Sequence, residues 1–349
     1  MQRATIADLT ADAVIYRDLE PCDPALPRLA TLQASLKLSA GPPPRKRELA
    51  YAQVIQALCQ AAQAARNAPS LSAFVVIGDT ENDRLLAAHL RILSALPTYG
   101  FIGEDRPVAP EALHWHGDTA TATRWHLLKP WAAQLERQGV VWSRTALLLD
   151  IDKTLLGPRG RSDGAIDDAR AEGALTVATA LLPSLDVSRF RRTYSELCHK
   201  EWYSFTLDNQ DYVVATALLI AVRALDLAEL RAQVEAGESD GFAGVLAATT
   251  AHIPADLMPL HAELRASVAA GDLTPFKAFR RAELTATLER MADGRLTLCD
   301  ALFDLGQRLK AQGVLCFAAS DKPAESALPS PAQVAAGMLP LHRTLAVVE

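Results

Sequence analysis

The sequence predicts an α/β protein: a parallel sheet covered on both faces, with an all-helical stretch inserted into it. Three observations predict this. Short uninterrupted apolar runs, FVVI at 74–77, ALLL at 146–149 and VLCFAA at 314–319, are too short for helices and fit strands buried on both faces. Helical patterns alternate with these runs, which is the order of βα units. Residues 160–292 are rich in alanine and leucine at helical spacing, with few strand-like runs.

Taken in order, residues 1–45 are mixed and run into the proline-rich loop GPPPRKRE. A helix is expected from Arg47 to Ala65, because Leu49, Val54, Ile55, Leu58 and Ala62 recur at helical spacing and Asn67-Ala68-Pro69 stops it. The strand at 74–77 ends at Gly78 and Asp79. A helix from Glu81 to Leu96 follows, stopped by Pro97. Tyr99–Gly103 reads as a weak strand and Thr119–Arg137 as a helix, with His114 and His116 flanking a surface turn. After the strand at 146–149 and the helical block come a helix from Leu296 to Gln312 and the strand near 314–320. The tail holds a short helix near 331–337 and a run at Leu345–Val348 that could pair with the N-terminal segment.

Composition bounds the function. The chain has 349 residues, half of them apolar and 22% charged, which suits a globular protein of about two domains. A net charge of −6 argues against a general nucleic-acid binder, which needs a basic stripe. No uninterrupted apolar run is long enough to span a membrane. MQRATIADLT has no basic region followed by an apolar run, so no secretory signal is expected. Cysteines 22, 59, 198, 299 and 316 are scattered without a CxxC pair, so neither a zinc site nor a disulfide framework is indicated. A cytoplasmic protein with reduced thiols is expected.

The residues with most chemical promise are Asp150-Ile151-Asp152-Lys153-Thr154, directly after ALLL. The carboxyl ends of strands are where open α/β sheets bind ligands. Two carboxylates held there, two residues apart, can serve as nucleophile and general acid/base. LLLDIDKTLL resembles motif I of the haloacid dehalogenase-like (HAD) phosphohydrolase superfamily, an apolar strand followed by DxDxT. LKAQGVLCFAASDKP resembles its motif II, which implies that Ser320 binds a phosphoryl oxygen. FVVIGDTENDRLLAA resembles its motif IV, which implies Asp79 as a magnesium ligand and Asp83 as a ligand or an orienting group.

The order departs from the family. Motif IV comes before motif I, and the stretch after Ser320 is too short for two further βα units. Circular permutation reconciles the two: residues 1–145 would supply motifs III and IV, 146–159 motif I, 160–292 an all-helical cap of the C1 type, and 293–349 motif II. The motif III lysine would then be Lys46, with Arg45, Arg47 and Lys37 competing. Lys322 is another nearby cation.

The resemblance implies a Rossmann-like core and Mg²⁺-dependent hydrolysis of a small phosphorylated metabolite through an aspartyl-phosphate. Asp150 would attack, and Asp152 would act as acid/base. Asp150, Asp152 and Asp79, with Asp83, would hold the metal. Thr154, Ser320 and Lys46 would bind the substrate. A phosphotransferase or mutase, and a non-catalytic protein that keeps the fold, are the alternatives. In the helical block, Tyr194, His199, Lys200, Trp202, Tyr203 and Asn209 could face substrate; the simpler expectation is a helix that buries Trp202 and Tyr203 with His199 solvated.

Overall fold

The computed structural model describes residues 2–39 and 41–349. Among these are β1 (Arg3–Ala4), β2 (Val14–Ile15), β3 (Ala73–Gly78), β4 (Thr98–Gly103), β5 (Leu113–His116), β6 (Thr119–Ala122), β7 (Thr145–Leu149), β8 (Leu315–Ala319) and β9 (Ala346–Val347). Seven of them form one sheet in the order β2-β8-β7-β3-β4-β6-β5. Its neighbours are parallel except for the β5–β6 hairpin at one edge. With helices between the strands, this is a Rossmann-like α/β architecture.

The central strands are buried along their whole length, which is why they read as unbroken apolar runs. On one face Phe74, Val76, Ala146, Leu148 and Phe317 pack with Tyr51, Val54, Ile55 and Leu58 of the helix Leu49–Ala65 and with Leu86 and Leu90 of the helix Glu81–Ser94. At another point Phe101 stacks tilted against Trp131, 5.3 Å between ring centroids. Register aligns Ile77, Leu149 and Ala318 across three adjacent strands, so the residues that follow them emerge along one edge of the sheet.

The expected Thr119–Arg137 helix is corrected. Thr119–Ala122 is strand, and the helix begins at Leu128. Thr-Ala-Thr-Ala alternates half-buried and buried positions, a period of two that β4 and β5 complete by pairing on either side. His114 and His116 accordingly lie exposed on the edge strand β5. The expected helix at Leu296 starts at Asp300 instead, because Leu298 is extended: its N–H donates to Val347 O at 2.8 Å. The run at Leu345–Val348 pairs with the N-terminal segment, Arg3 opposite Val347.

The chain divides into two compact units: residues up to Asp167 together with Thr287–Glu349, and Asp168–Ala286. The boundaries fall within the helices Gly164–Leu181 and Lys277–Asp293, so the second unit is shorter than the expected 160–292 stretch. Its described elements are all helical, around a core that includes Phe190, Trp202, Phe205, Val214, Leu218 and Phe279. Trp202 is buried and His199 exposed as expected, but Tyr203 is exposed and Phe205 takes the buried place. Tyr194 is also in this core, and Asn209 caps the helix Gln210–Ala221 and donates to Leu273 O at 2.9 Å. No helix among the described residues is long and apolar enough to cross a membrane.

Candidate functional site

Asp79 follows β3, Asp150 follows β7 and Ser320 follows β8, so strand order alone brings these three loops together. Asp83 reaches the same edge from the first turn of the helix Glu81–Ser94. Its Oδ2 accepts from the backbone N–H groups of Asp79 and Thr80, at 3.3 and 3.1 Å, and from the Thr80 hydroxyl at 2.7 Å. That ties one carboxylate oxygen to the helix start and leaves Oδ1 to the site. Gly78 makes room for it, since a Cβ there would lie 2.0 Å from Asp83 Cγ.

Lys46 arrives from the loop before the helix Leu49–Ala65. Its Nζ donates to Asp150 Oδ1 at 2.7 Å and to Ala319 O at 3.2 Å, and it ion-pairs with Asp83 Oδ1. Arg47 and Lys37 are exposed and Arg45 is half-buried, whereas Lys46 is buried. The structure therefore separates four cations that the sequence leaves in competition. Burial works against the Lys46 charge, yet the Asp150 and Asp83 carboxylates beside it hold its pKa well above the ordinary lysine value.

Asp79, Asp83 and Asp150 each offer a carboxylate oxygen, and these atoms lie within 4.8 Å of one another. Thr154, fully buried, donates to Asp150 Oδ2 at 3.1 Å and lies 3.3 Å from Asp79 Oδ1. The substrate-binding residue expected from the sequence thus turns its hydroxyl toward the two aspartates. Burial pushes the Asp79 carboxyl up to about 6; the Arg159 guanidinium opposes that and the Asp83 charge adds to it. Asp150 is pushed up well above the carboxylate range, first by burial, against the pull of Lys46 and with Asp83 and Asp79 adding to the rise. Like charges buried this closely are costly unless a cation joins them. Three oxygen donors of this kind suit a hard divalent ion such as Mg²⁺.

Asp152 stands apart from that cluster. Its Oδ2 pairs with Lys322 Nζ at 3.1 Å, and its Oδ1 is buried without a hydrogen-bond partner. Ser320 is buried, and its Oγ accepts from the Lys322 N–H at 3.1 Å. Lys153 between Asp152 and Thr154 has φ +61°, a left-handed conformation that lets the loop turn back on itself and stores strain beside the site.

One residue of the site escapes the sequence. Arg159 Nε donates to Asp79 Oδ2 at 2.6 Å, and a terminal guanidinium nitrogen pairs with the same oxygen. The only sequence signal is a basic residue in GPRGR after the DxDxT loop, which looks like any solvated turn.

No family model matches the chain, and neither does any curated protein or solved structure.

Proposed function

We propose that the chain is a Mg²⁺-dependent phosphomonoester hydrolase of HAD type that acts on a small phosphorylated metabolite. Its core would be circularly permuted and its helical unit a cap of the C1 type. One observation carries this: Lys46 Nζ lies 2.7 Å from Asp150 Oδ1, while Asp79 and Asp83 offer oxygens within 4.8 Å of that same carboxylate. These residues come from three separated parts of the chain, and all four belong to the set the motif resemblance implies. The pairing of β1 with β9 supports the permuted order, since it brings together the two segments that a permutation would join.

Asp79, Asp83 and Asp150 would hold the metal, with the Asp152 backbone carbonyl as a further oxygen. Bound there, Mg²⁺ would supply Lewis-acid neutralisation of phosphoryl charge. The chain's own groups do the rest. Asp150 attacks phosphorus in line, forming an aspartyl-phosphate as the bond to the leaving oxygen breaks. Asp152 gives its proton to that oxygen, then takes one from water, which attacks phosphorus and releases phosphate with Asp150 restored. Ser320 and Lys46 hold non-bridging oxygens, and their fixed positions serve the spread charge of the transition state without reorganisation.

The experiment is phosphate release from a panel of phosphomonoesters that includes an aryl phosphate, with Asp150→Asn and a chelator in parallel. Expected is turnover that both remove, and a loss of about 10²- to 10⁴-fold in Asp152→Asn. A new phosphoester in place of free phosphate would assign a transferase. Metal binding with no turnover on any substrate would overturn the catalytic reading.

A further inference from the structure

We propose that Arg159 is an anion-binding residue held in reserve. Its guanidinium occupies Asp79 in place of a metal ion until Mg²⁺ displaces it, and it then binds an anionic group of the substrate at the mouth of the site. This rests on the phosphohydrolase reading and extends it to a residue that none of the motifs contains.

The geometry confines movement to the side chain. The Arg159 N–H donates to Lys153 O at 2.8 Å, and its carbonyl accepts from Asp105 N–H at 2.9 Å and from the Trp125 indole N–H at 3.0 Å. Gly160, next in the chain, has φ +85°, and a Cβ there would lie 2.0 Å from Asp105 O, so the loop packs too closely for any other residue. Beyond this pinned backbone, the Arg159 side chain is 34% exposed, whereas the Asp79 side chain it covers is 3% exposed. The guanidinium reaches from the solvent rim into the buried cluster, and it can return to the rim without opening the core.

Charge supplies the drive. Ionised as metal binding requires, Asp79, Asp83 and Asp150 outnumber Lys46 and Arg159 by one charge, and a divalent ion added to the set leaves one positive charge in excess. Asp79 would then serve two cations on one carboxylate, and their mutual repulsion is relieved by the one whose side chain reaches solvent. Arg159 leaves, and the excess positive charge at the mouth is met by an anion. A guanidinium fork suits a phosphate or carboxylate.

The test is calorimetric titration of the full chain with MgCl₂, then of the Mg²⁺-loaded protein with inorganic phosphate, for wild type, Arg159→Gln and Arg159→Lys. Thermal melts check that each variant is folded. Expected is Mg²⁺ binding about 5- to 10-fold tighter in Arg159→Gln, since one partly exposed charge-assisted pair no longer competes. Phosphate binding should fall by about tenfold in Arg159→Gln and recover in part in Arg159→Lys. Mg²⁺ affinity equal to or weaker than wild type in Arg159→Gln, or unchanged phosphate affinity, overturns the proposal and leaves the phosphohydrolase reading standing. Absence of Mg²⁺ binding in wild type and both variants overturns both.

Discussion

Lys46 is a buried cation whose charge is sustained by Asp150 and Asp83, and its removal would leave those carboxylates facing each other in a desolvated pocket. Breaking a buried pair from one side costs about 3–5 kcal/mol. Lys46→Met should lower the unfolding free energy read from urea denaturation by that amount, and Mg²⁺ should restore part of it; a stability equal to wild type would mean the carboxylates are not charged there. Asp79 gives the pH dependence. Its carboxyl is pushed up to about 6, first by burial. A proton therefore competes with the metal on Asp79 below that pH, and on Asp150, whose carboxyl burial raises further, it still competes above it. Mg²⁺ affinity should therefore fall from about pH 8 downward, and below about 6 the fall should steepen by up to about a further tenfold per pH unit. Calorimetry at stepped pH reads this directly, and an affinity that holds constant to pH 5 would remove Asp79 from the ligand set.

Strand ends decide the site at the level of elements. β8, β7 and β3 are adjacent and parallel, so their carboxyl ends deliver Ser320, Asp150 and Asp79 to one edge. Neighbouring strands are about 4.8 Å apart, close enough for side chains on successive loops to meet. The turn from β3 into its helix adds Asp83, and that turn depends on Gly78. In Gly78→Ala the new Cβ would sit 2.0 Å from Asp83 Cγ, so the carboxylate must move off the helix start. We expect a loss of about 1–3 kcal/mol, the cost of overpacking a closed site, together with weaker Mg²⁺ binding. Thermal melting and metal titration on one sample check both. Retention of both would show that the loop has slack the structure does not display.

For the whole molecule, the division into two units carries the main prediction. The unit Asp168–Ala286 has its own apolar core, with Phe190, Phe205, Phe276 and Phe279 almost fully buried. It also has a buried ionic cluster in which Arg280 Nε donates to Asp211 Oδ2 at 2.7 Å and a second guanidinium nitrogen donates to Glu283 Oε2 at 2.8 Å. A segment of this size with a contiguous core can fold alone. Expressed by itself it should be helical by circular dichroism and melt cooperatively. A gradual, non-cooperative loss of signal would show that its core needs the rest of the chain.

The sequence by itself determined which segments become the buried strands, because a strand covered on both faces must be apolar at every position and so announces itself over a few residues. It also singled out the aspartates that end two of those strands, since a carboxylate at the end of an apolar run has no role in the core. It misread Thr119–Ala122, where short alternation gains its meaning only from strands on both sides, and it passed over the two-residue strand β2, which exists only by pairing with β8. The resemblance put Lys46 first with Arg45, Arg47 and Lys37 in competition, and tertiary structure separated them by burying Lys46 against Asp150; it alone brought Arg159 onto Asp79. The reason is physical. Burial patterns are local and repeat along the chain, whereas a charge finds its partner across the fold, 104 residues away for Lys46 and Asp150, and nothing in its near neighbours records where that partner lies.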